Sequence, residues 1–331
     1  MPNRTLIRTV VGLAALAAAP AVAQTDNSQT DQALVTEALE APAVDALQAP
    51  TERVGEFYEA EDGARIFYEV AGDGPPMVLL HGYPLSGALF ARVRDTLQED
   101  FTVLTVDHRG YGQSVAPEVP DDIETYAEDA LAVMDQVGFD TATVGGMSMG
   151  GPVTLSMYGM APERFDAMVL IDTNAASASP AEAGLWTGTA EVARNVGKEP
   201  IIATLLPDML TGETRLNEAA VTDYLTAVME ETSVDGFIGG AVALAERPDF
   251  TDMLSEIDVP TLVIVGLEDS LYPVQVARDM VEQIPDADLA IVPGGSHAAV
   301  FETPGLVGRA ILDWADEQSE ANAVDDQNDD G

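Results

Sequence analysis

The chain has 331 residues, of which 47% are apolar, 14 are Lys or Arg and 57 are Asp or Glu, so the formal net charge is −43. An apolar fraction of this size is not typical of a disordered acidic chain and is sufficient for a sizeable core. The lack of basic clusters argues against nucleic acid and acidic membranes as partners, and the absence of cysteine excludes disulfides, thiolate metal sites and a cysteine nucleophile.

The N-terminal 50 residues have the composition of an export signal followed by a linker. Arg4 and Arg8 precede an apolar run over 10–19, and Ala-Val-Ala at 21–23 is typical of a signal-peptide cleavage site. The run is shorter than the roughly 20 residues that a membrane-spanning helix needs. We therefore expect residues 1–23 to be a signal peptide and the mature protein to be periplasmic or extracellular. Residues 24–50, rich in Ala, Thr, Gln and Asp, predict a disordered linker.

From about residue 55 onward, short β-branched runs alternate with amphipathic segments. The runs lack period-two alternation, which is typical of a mostly parallel sheet covered on both faces. The pattern predicts a doubly wound α/β fold with eight strands, of which the first two form an antiparallel hairpin. The predicted strands are 55–60, 64–70, 77–81, 102–107, 141–146, 168–172, 261–266 and 289–292, and the predicted helices are 88–99, 123–137, 149–160, 274–284 and 306–316.

One long interval interrupts this alternation. Residues 175–255 carry helical patterns and no convincing strand, which predicts a helical cap inserted between two parts of an α/β core, 51–174 and 256–316. Apolar cap residues such as Leu205 and Met209 either pack the insertion or line a substrate pocket. The end of the chain, 317–331, is dominated by Asp, Glu, Asn and Gln and predicts an acidic disordered tail. The overall acidity is typical of a surface adapted to salt.

A nucleophile is indicated by the motif Gly-Met-Ser-Met-Gly at 146–150. It follows a predicted strand and precedes a predicted helix, the context of a nucleophile elbow that projects Ser148 above the sheet. The same position at a helix N-terminus favours negative charge. We therefore expect Ser148 to be the catalytic nucleophile.

A serine hydroxyl needs a neighbouring base, and the chain has only three histidines. His297 follows the last predicted strand and is the expected base. Asp269, just beyond the strand 261–266, is the expected orienting acid, because Ser148, Asp269 and His297 then follow the chain order of triads on open α/β sheets. Glu268 and Asp172 remain alternative positions for the acid.

Two backbone N–H groups are expected to stabilise an oxyanion. Met149 follows the nucleophile and supplies one donor, and Tyr83, in His-Gly-Tyr-Pro at 81–84, supplies the second. His81 is expected to brace this loop. No metal site is predicted, since no second histidine lies close to His81 in the sequence.

These motifs together resemble the α/β-hydrolase superfamily, over about residues 55–315. The segment Asp-His-Arg-Gly-Tyr-Gly-Gln-Ser at 107–114 looks like the superfamily's turn that supports the active-site floor. His-Gly-Tyr-Pro-Leu-Ser-Gly at 81–87 and Gly-Met-Ser-Met-Gly-Gly at 146–151 are similar to enol-lactonase, arylesterase and cofactor-free haloperoxidase members. Dehalogenases and most epoxide hydrolases have aspartate where Ser148 stands, so the resemblance disfavours those two activities.

The expected function is two-step hydrolysis of a small-molecule ester or lactone, without a cofactor and without an obligate protein partner. The alternative within enzymology is perhydrolysis by the same triad, because Pro84 after the oxyanion residue is reminiscent of perhydrolase members. A third alternative is a non-catalytic binding protein built on a hydrolase scaffold.

Overall fold

The computed structural model describes residues 34–329. The predicted signal peptide, 1–23, lies outside the described residues, as do 24–33, 330 and 331.

The centre of the molecule is an eight-stranded sheet with the order β1-β2-β4-β3-β5-β6-β7-β8. The first two strands form an antiparallel hairpin, β2 also pairs antiparallel with β4, and the remaining neighbours are parallel. The strands are β1 Glu56–Glu59, β2 Arg65–Ala71, β3 Pro76–Leu80, β4 Thr102–Val106, β5 Ala142–Met147, β6 Phe165–Ile171, β7 Thr261–Gly266 and β8 Ala287–Val292. The predicted α/β fold class is confirmed.

Helices cover the sheet, which explains why the central strands are apolar at successive positions: every residue of β7 is buried. Within the fold, α1 packs on α11 and α2 on α3. No helix within 34–329 has both the length and the apolar character required to cross a membrane. The helices are α1 Ala91–Leu97, α2 Ile123–Val137, α3 Gly150–Met160, α4 Pro180–Asn195, α5 Glu199–Met209, α6 Gly212–Asn217, α7 Ala219–Glu231, α8 Val234–Glu246, α9 Val274–Val281, α10 Ala299–Glu302 and α11 Pro304–Asp329.

Helices α4 to α8 lie between β6 and β7, where the sequence predicts a cap. Side chains cap several of their N-termini: the hydroxyl of Ser179 accepts a hydrogen bond from the N–H of Glu182 at the start of α4, and Ser233 does the same for Gly236 at α8. Helices α4 and α8 pack closely on each other. Phe237 and Leu225 are fully buried within the cap.

The linker prediction for 24–50 is wrong over its described part, 34–50. Leu34 forms a parallel bridge with Ile291 of β8, and the N–H of Leu39 donates to the carbonyl of Gly305. Strand β8 is at the edge of the sheet, and this segment supplies its open side with a partner. Backbone hydrogen bonds of this kind leave little trace in composition.

The tail prediction is also wrong, for residues 317–329. Helix α11 begins at Pro304 and continues to Asp329, beyond the predicted end at 316. Its Glu, Gln and Ala residues are good helix formers, so acidity alone is a poor indicator of disorder here.

Candidate active site

Ser148 occupies a strained turn between β5 and α3. Its backbone φ is 53°, in the left-handed region that residues other than glycine rarely adopt, as expected at a nucleophile elbow. Two contacts hold this conformation: the N–H of Ser148 donates to the carbonyl of Ile171 at 3.0 Å, and the hydroxyl of Thr173 donates to the carbonyl of Ser148 at 2.6 Å. The backbone of Ser148 is thereby held by the end of strand β6 and by Thr173 just beyond it.

The glycines of the motif are required by close backbone approaches. A Cβ on Gly146 would lie 2.0 Å from the carbonyl oxygen of Gly150, and a Cβ on Gly150 would lie 2.1 Å from that of Leu80. Both approaches involve backbone atoms that cannot move aside. The turn that exposes Ser148 is therefore accessible only with glycine at both positions.

The structure brings Ser148, His297 and Asp269 together. The Nε2 of His297 is 2.9 Å from the Oγ of Ser148, and its Nδ1 is 2.9 Å from Oδ2 of Asp269. Because a carboxylate only accepts hydrogen bonds, Nδ1 carries the proton and Nε2 of the neutral ring is free to accept from the serine hydroxyl. The other oxygen of Asp269 accepts from the N–H groups of Leu271 and Tyr272, at 2.8 and 3.0 Å.

The two alternative acids lie elsewhere. Glu268 is exposed. Asp172 is fully buried, and its carboxyl accepts from the N–H groups of Gly266 and Ala299 at 2.7 and 3.2 Å. Burial, together with the nearby charge of Asp269, raises the pKa of Asp172 well above its ordinary value. Asp172 therefore ties the ends of two strands to α10, while Asp269 partners the imidazole.

The expected oxyanion donors flank the nucleophile. Neither the N–H of Tyr83 nor that of Met149 donates to an acceptor within residues 34–329, although both residues are buried. Gly82 lies directly against the serine, since a Cβ there would be 2.7 Å from Cβ of Ser148. Two buried N–H groups beside Ser148 thus remain available for a developing negative charge.

His81 braces the same loop. Its Nδ1 donates to the carbonyl of Gly82 at 2.9 Å, and its Nε2 accepts from the N–H of His108 at 3.0 Å. Burial lowers the pKa of His81 to about 3, so the ring is neutral. With both nitrogens engaged, His81 has none left for a metal, and residues 34–329 contain no cluster of three potential metal-ligating side chains.

The turn at 107–114 supports the floor of the site through Asp107. Its carboxylate accepts from the N–H groups of Gly87 and Gln113, at 2.7 and 2.8 Å, and pairs with the buried guanidinium of Arg53. Arg53 also pairs with Glu69 at 2.8 Å. Sequence reasoning missed Arg53, because its partners are 16 and 54 residues away in the chain.

The cap holds the loop that carries His297. Ala298 donates its N–H to the carbonyl of Met209 at 2.9 Å, at the end of α5. The carboxylate of Glu302 accepts from the N–H of Ser296 at 2.8 Å and from both the N–H and the hydroxyl of Thr211 at 2.7 Å. Sequence reasoning missed Glu302, since its cap partner is 91 residues away.

A cavity of about 300 Å³ opens onto Ser148 and His297. The cap and the loop after β7 supply most of its walls, so the cap contributes to a pocket as well as packing. Polar groups on the walls include the side chains of Asn174, Ser179 and Glu182. The apolar lining includes Leu185, Trp186, Leu205, Met209, Leu271 and Val276.

A family model described as the alpha/beta hydrolase fold matches residues 75–304. The chain belongs to the α/β-hydrolase family of enzymes. The resemblance seen in the motifs is thereby confirmed. This hydrolase is 30% identical over 270 residues to a non-heme haloperoxidase of Rhodococcus erythropolis, a match that covers 78% of this chain and 98% of the relative.

Two further comparisons place the hydrolase among ester-cleaving relatives. It is 26% identical over 239 residues to 3-oxoadipate enol-lactonase 2 of Acinetobacter baylyi, covering 72% of this chain and 88% of the relative. Its structure is similar to that of a thermophilic esterase from Thermogutta terrifontis, with a TM-score of 0.76, 29% identity and coverage of 80% of this chain and 98% of the other.

Proposed function

We propose that this hydrolase cleaves carboxylic esters or lactones through an acyl-enzyme formed on Ser148. The observation that carries the proposal is the unbroken contact from Asp269 through His297 to Ser148, with 2.9 Å at each step, at the wall of an apolar cavity. The named activities of the esterase and enol-lactonase relatives support the same reaction class.

In the first step, Oγ of Ser148 attacks the carbonyl carbon and Nε2 of His297 takes the hydroxyl proton. The carbonyl oxygen becomes an oxyanion that accepts hydrogen bonds from the N–H groups of Tyr83 and Met149. The intermediate collapses, the carbon–oxygen bond to the alcohol breaks, and His297 protonates the departing oxygen. Asp269 keeps the ring in the required tautomer and stabilises the imidazolium.

In the second step, His297 deprotonates a water molecule that attacks the acyl carbon. The resulting oxyanion uses the same two N–H groups. Its collapse returns the proton to Ser148 and releases the carboxylic acid. For a lactone, the alcohol stays attached to the acid, so a single hydroxy acid is released.

The proposal is tested with 4-nitrophenyl butyrate and the variant Ser148→Ala. Loss of a triad serine is expected to lower kcat on the order of 10⁴- to 10⁶-fold, as in serine proteases. Ser156→Ala is a matched control, because Ser156 lies further along α3 and outside the cavity lining. Ordinary ester hydrolysis by Ser148→Ala overturns the proposal.

A second candidate is perhydrolysis, in which hydrogen peroxide replaces water in the second step and a peracid is released. The similarity to the Rhodococcus haloperoxidase favours it, as does Pro84 directly after the oxyanion residue. Peracid formation from acetate esters, measured with and without peroxide, separates the two. A peracid yield far below the yield of acetic acid at millimolar peroxide contradicts perhydrolysis as the main activity.

A further inference from the structure

The cavity beside Ser148 has a single carboxylate among its described lining residues. Glu182, on the first turn of α4, lines the cavity, and no Lys or Arg is among its described lining residues. The side chain of Glu182 is 29% exposed, so a molecule in the cavity can reach it. The sequence Ser-Pro-Ala-Glu at 179–182 has the pattern of a capping box, which predicts that a helix begins just after Ser179 and carries Glu182 in its first turn.

The carboxylate of Glu182 is held from behind. Nη2 of Arg247 lies 2.9 Å from its Oε1 without the alignment of a hydrogen bond, so the contact is an ion pair. Arg247 is itself fixed, because its Nε and Nη1 donate to the carbonyls of Ala176 and Leu244 at 2.9 and 3.0 Å. The indole N–H of Trp186 also donates to Oε1 of Glu182, at 3.4 Å. The side chain of Arg247 is only 1% exposed and does not line the cavity, so the accessible member of the pair is the negative one.

We propose that Glu182 is a specificity-determining residue that excludes carboxylate-bearing substrates and restricts the enzyme to uncharged esters or lactones. The inference rests on the proposed esterase function. An anionic group in this cavity would lie near a fixed carboxylate and would lose its water shell against apolar walls, with no exposed cation to compensate. A neutral apolar substrate chain is not repelled by the carboxylate and loses no hydration of a charge, and it buries its surface against Trp186 and Leu185.

The test compares two esters of equal chain length, 4-nitrophenyl hexanoate and the 4-nitrophenyl half-ester of adipic acid, which differ by a terminal methyl or carboxylate. We expect wild-type kcat/KM to be at least about tenfold lower for the half-ester. Glu182→Gln, which retains an oxygen facing Arg247 and Trp186, is expected to raise the ratio of half-ester to hexanoate by about tenfold. Glu182→Asp retains the charge and is expected to keep the low ratio.

Glu191→Gln is the matched control for net charge, because Glu191 is exposed on the same helix and does not line the cavity. It is expected to leave the ratio unchanged. The wild-type preference is also expected to persist in 1 M NaCl, where the Debye length is about 3 Å and repulsion by the distant surface is screened.

Failure of wild type to hydrolyse the hexanoate ester overturns the proposed function itself. Equal wild-type rates for the two esters overturn the role of Glu182 and leave the esterase function standing. The same conclusion follows if Glu191→Gln changes the ratio as much as Glu182→Gln, or if 1 M NaCl abolishes the preference. The wild-type ratio and its salt dependence keep the inference falsifiable even if Glu182→Gln does not fold.

Discussion

Two buried histidines, His81 and His108, are neutral in the folded protein at neutral pH. Burial lowers the pKa of His108 well below its ordinary value and that of His81 to about 3. The rings lie 4.3 Å apart between centroids, and neither nitrogen of His108 has a hydrogen-bond partner among residues 34–329. In the unfolded chain both residues titrate near pH 6.5. Acid therefore favours the unfolded state, which binds these protons more readily.

His108→Phe tests this linkage. A histidine whose folded pKa is depressed loses stability as pH falls below about 6.5, by about 1.4 kcal/mol per pH unit until the folded pKa is reached. Between pH 6 and 4, we expect the free energy of unfolding to fall less steeply with decreasing pH in His108→Phe than in wild type. The expected difference between the two slopes is about 1.4 kcal/mol per pH unit. Urea unfolding at pH 8, 6, 5 and 4 measures it. The raised pKa of Asp172 has the opposite effect, since it stabilises the folded state as pH falls, but this effect is the same in wild type and in His108→Phe. Parallel pH profiles for the two proteins contradict the assignment.

At the scale of elements, the cap and the histidine loop form one hydrogen-bonded unit. Glu302 joins Thr211, between α5 and α6, to Ser296, next to His297. The cap therefore helps to set the position of His297 as well as the shape of the cavity. Under the proposed mechanism, this coupling links packing far from the sheet to the geometry of the reaction.

Glu302→Gln is expected to weaken that coupling. An amide has one oxygen, so its NH₂ must face either Thr211 or the N–H of Ser296, and a buried unsatisfied donor costs about 1–3 kcal/mol. We expect a lower melting temperature and a kcat reduced roughly tenfold with little change in KM, because the base is misplaced while the cavity walls remain. Steady-state kinetics on the folded variant, with exposed Glu320→Gln as control, measures this. An unchanged kcat in a destabilised variant indicates that Glu302 is structural only.

The sequence predicted correctly those helices and strands whose ends are set by residues close by in the chain. Helix α2 begins at Ile123 and ends at Val137 as predicted, because Asp122 caps it and Gly138 terminates it with a φ of 78°. Strand β5, the turn at Ser148 and helix α3 likewise lie within one short stretch of the chain, 142–160, so their order could be predicted from local patterns. The same patterns predicted that the carboxyl ends of the parallel strands bring Asp269 and His297 to Ser148, and in the structure His297 lies 2.9 Å from both Ser148 and Asp269.

Contacts between distant segments could not be predicted in this way. The pairing of Leu34 with β8 and the ion pairs of Arg53 join segments with no shared local pattern. Glu182 could be placed by its capping box at the start of a helix, but its position in the cavity wall follows only from how α4 packs. Acidity also misled the prediction for the end of α11, because helix propensity and charge are independent properties.

At the scale of the whole molecule, the dominant feature is a net charge of −43. Mutual repulsion among acids destabilises the compact state at low ionic strength, and salt screens it: the Debye length falls from about 10 Å at 0.1 M to about 3 Å at 1 M. Only 14 Lys and Arg residues are available for compensation. Several of these are committed to buried pairs, such as Arg53 with Glu69 and Arg109 with Asp129.

We expect the melting temperature to rise by on the order of 5 °C between 0.05 and 1 M NaCl, because screening relieves this repulsion. Differential scanning calorimetry measures the change. Choline chloride at equal ionic strength is the control, since screening requires no particular cation. A rise with sodium alone indicates specific ion binding, and a fall with both salts contradicts the electrostatic interpretation.

Covalent labelling by a fluorophosphonate, mapped by peptide mass spectrometry, tests most directly whether the hydroxyl at the elbow is activated. The contacts among Ser148, His297 and Asp269 predict a single adduct on the peptide containing Ser148. Labelling should be lost in Ser148→Ala and slowed by several powers of ten in His297→Ala. An adduct on another residue, or an active enzyme that the reagent leaves unlabelled and uninhibited, would contradict the proposed mechanism.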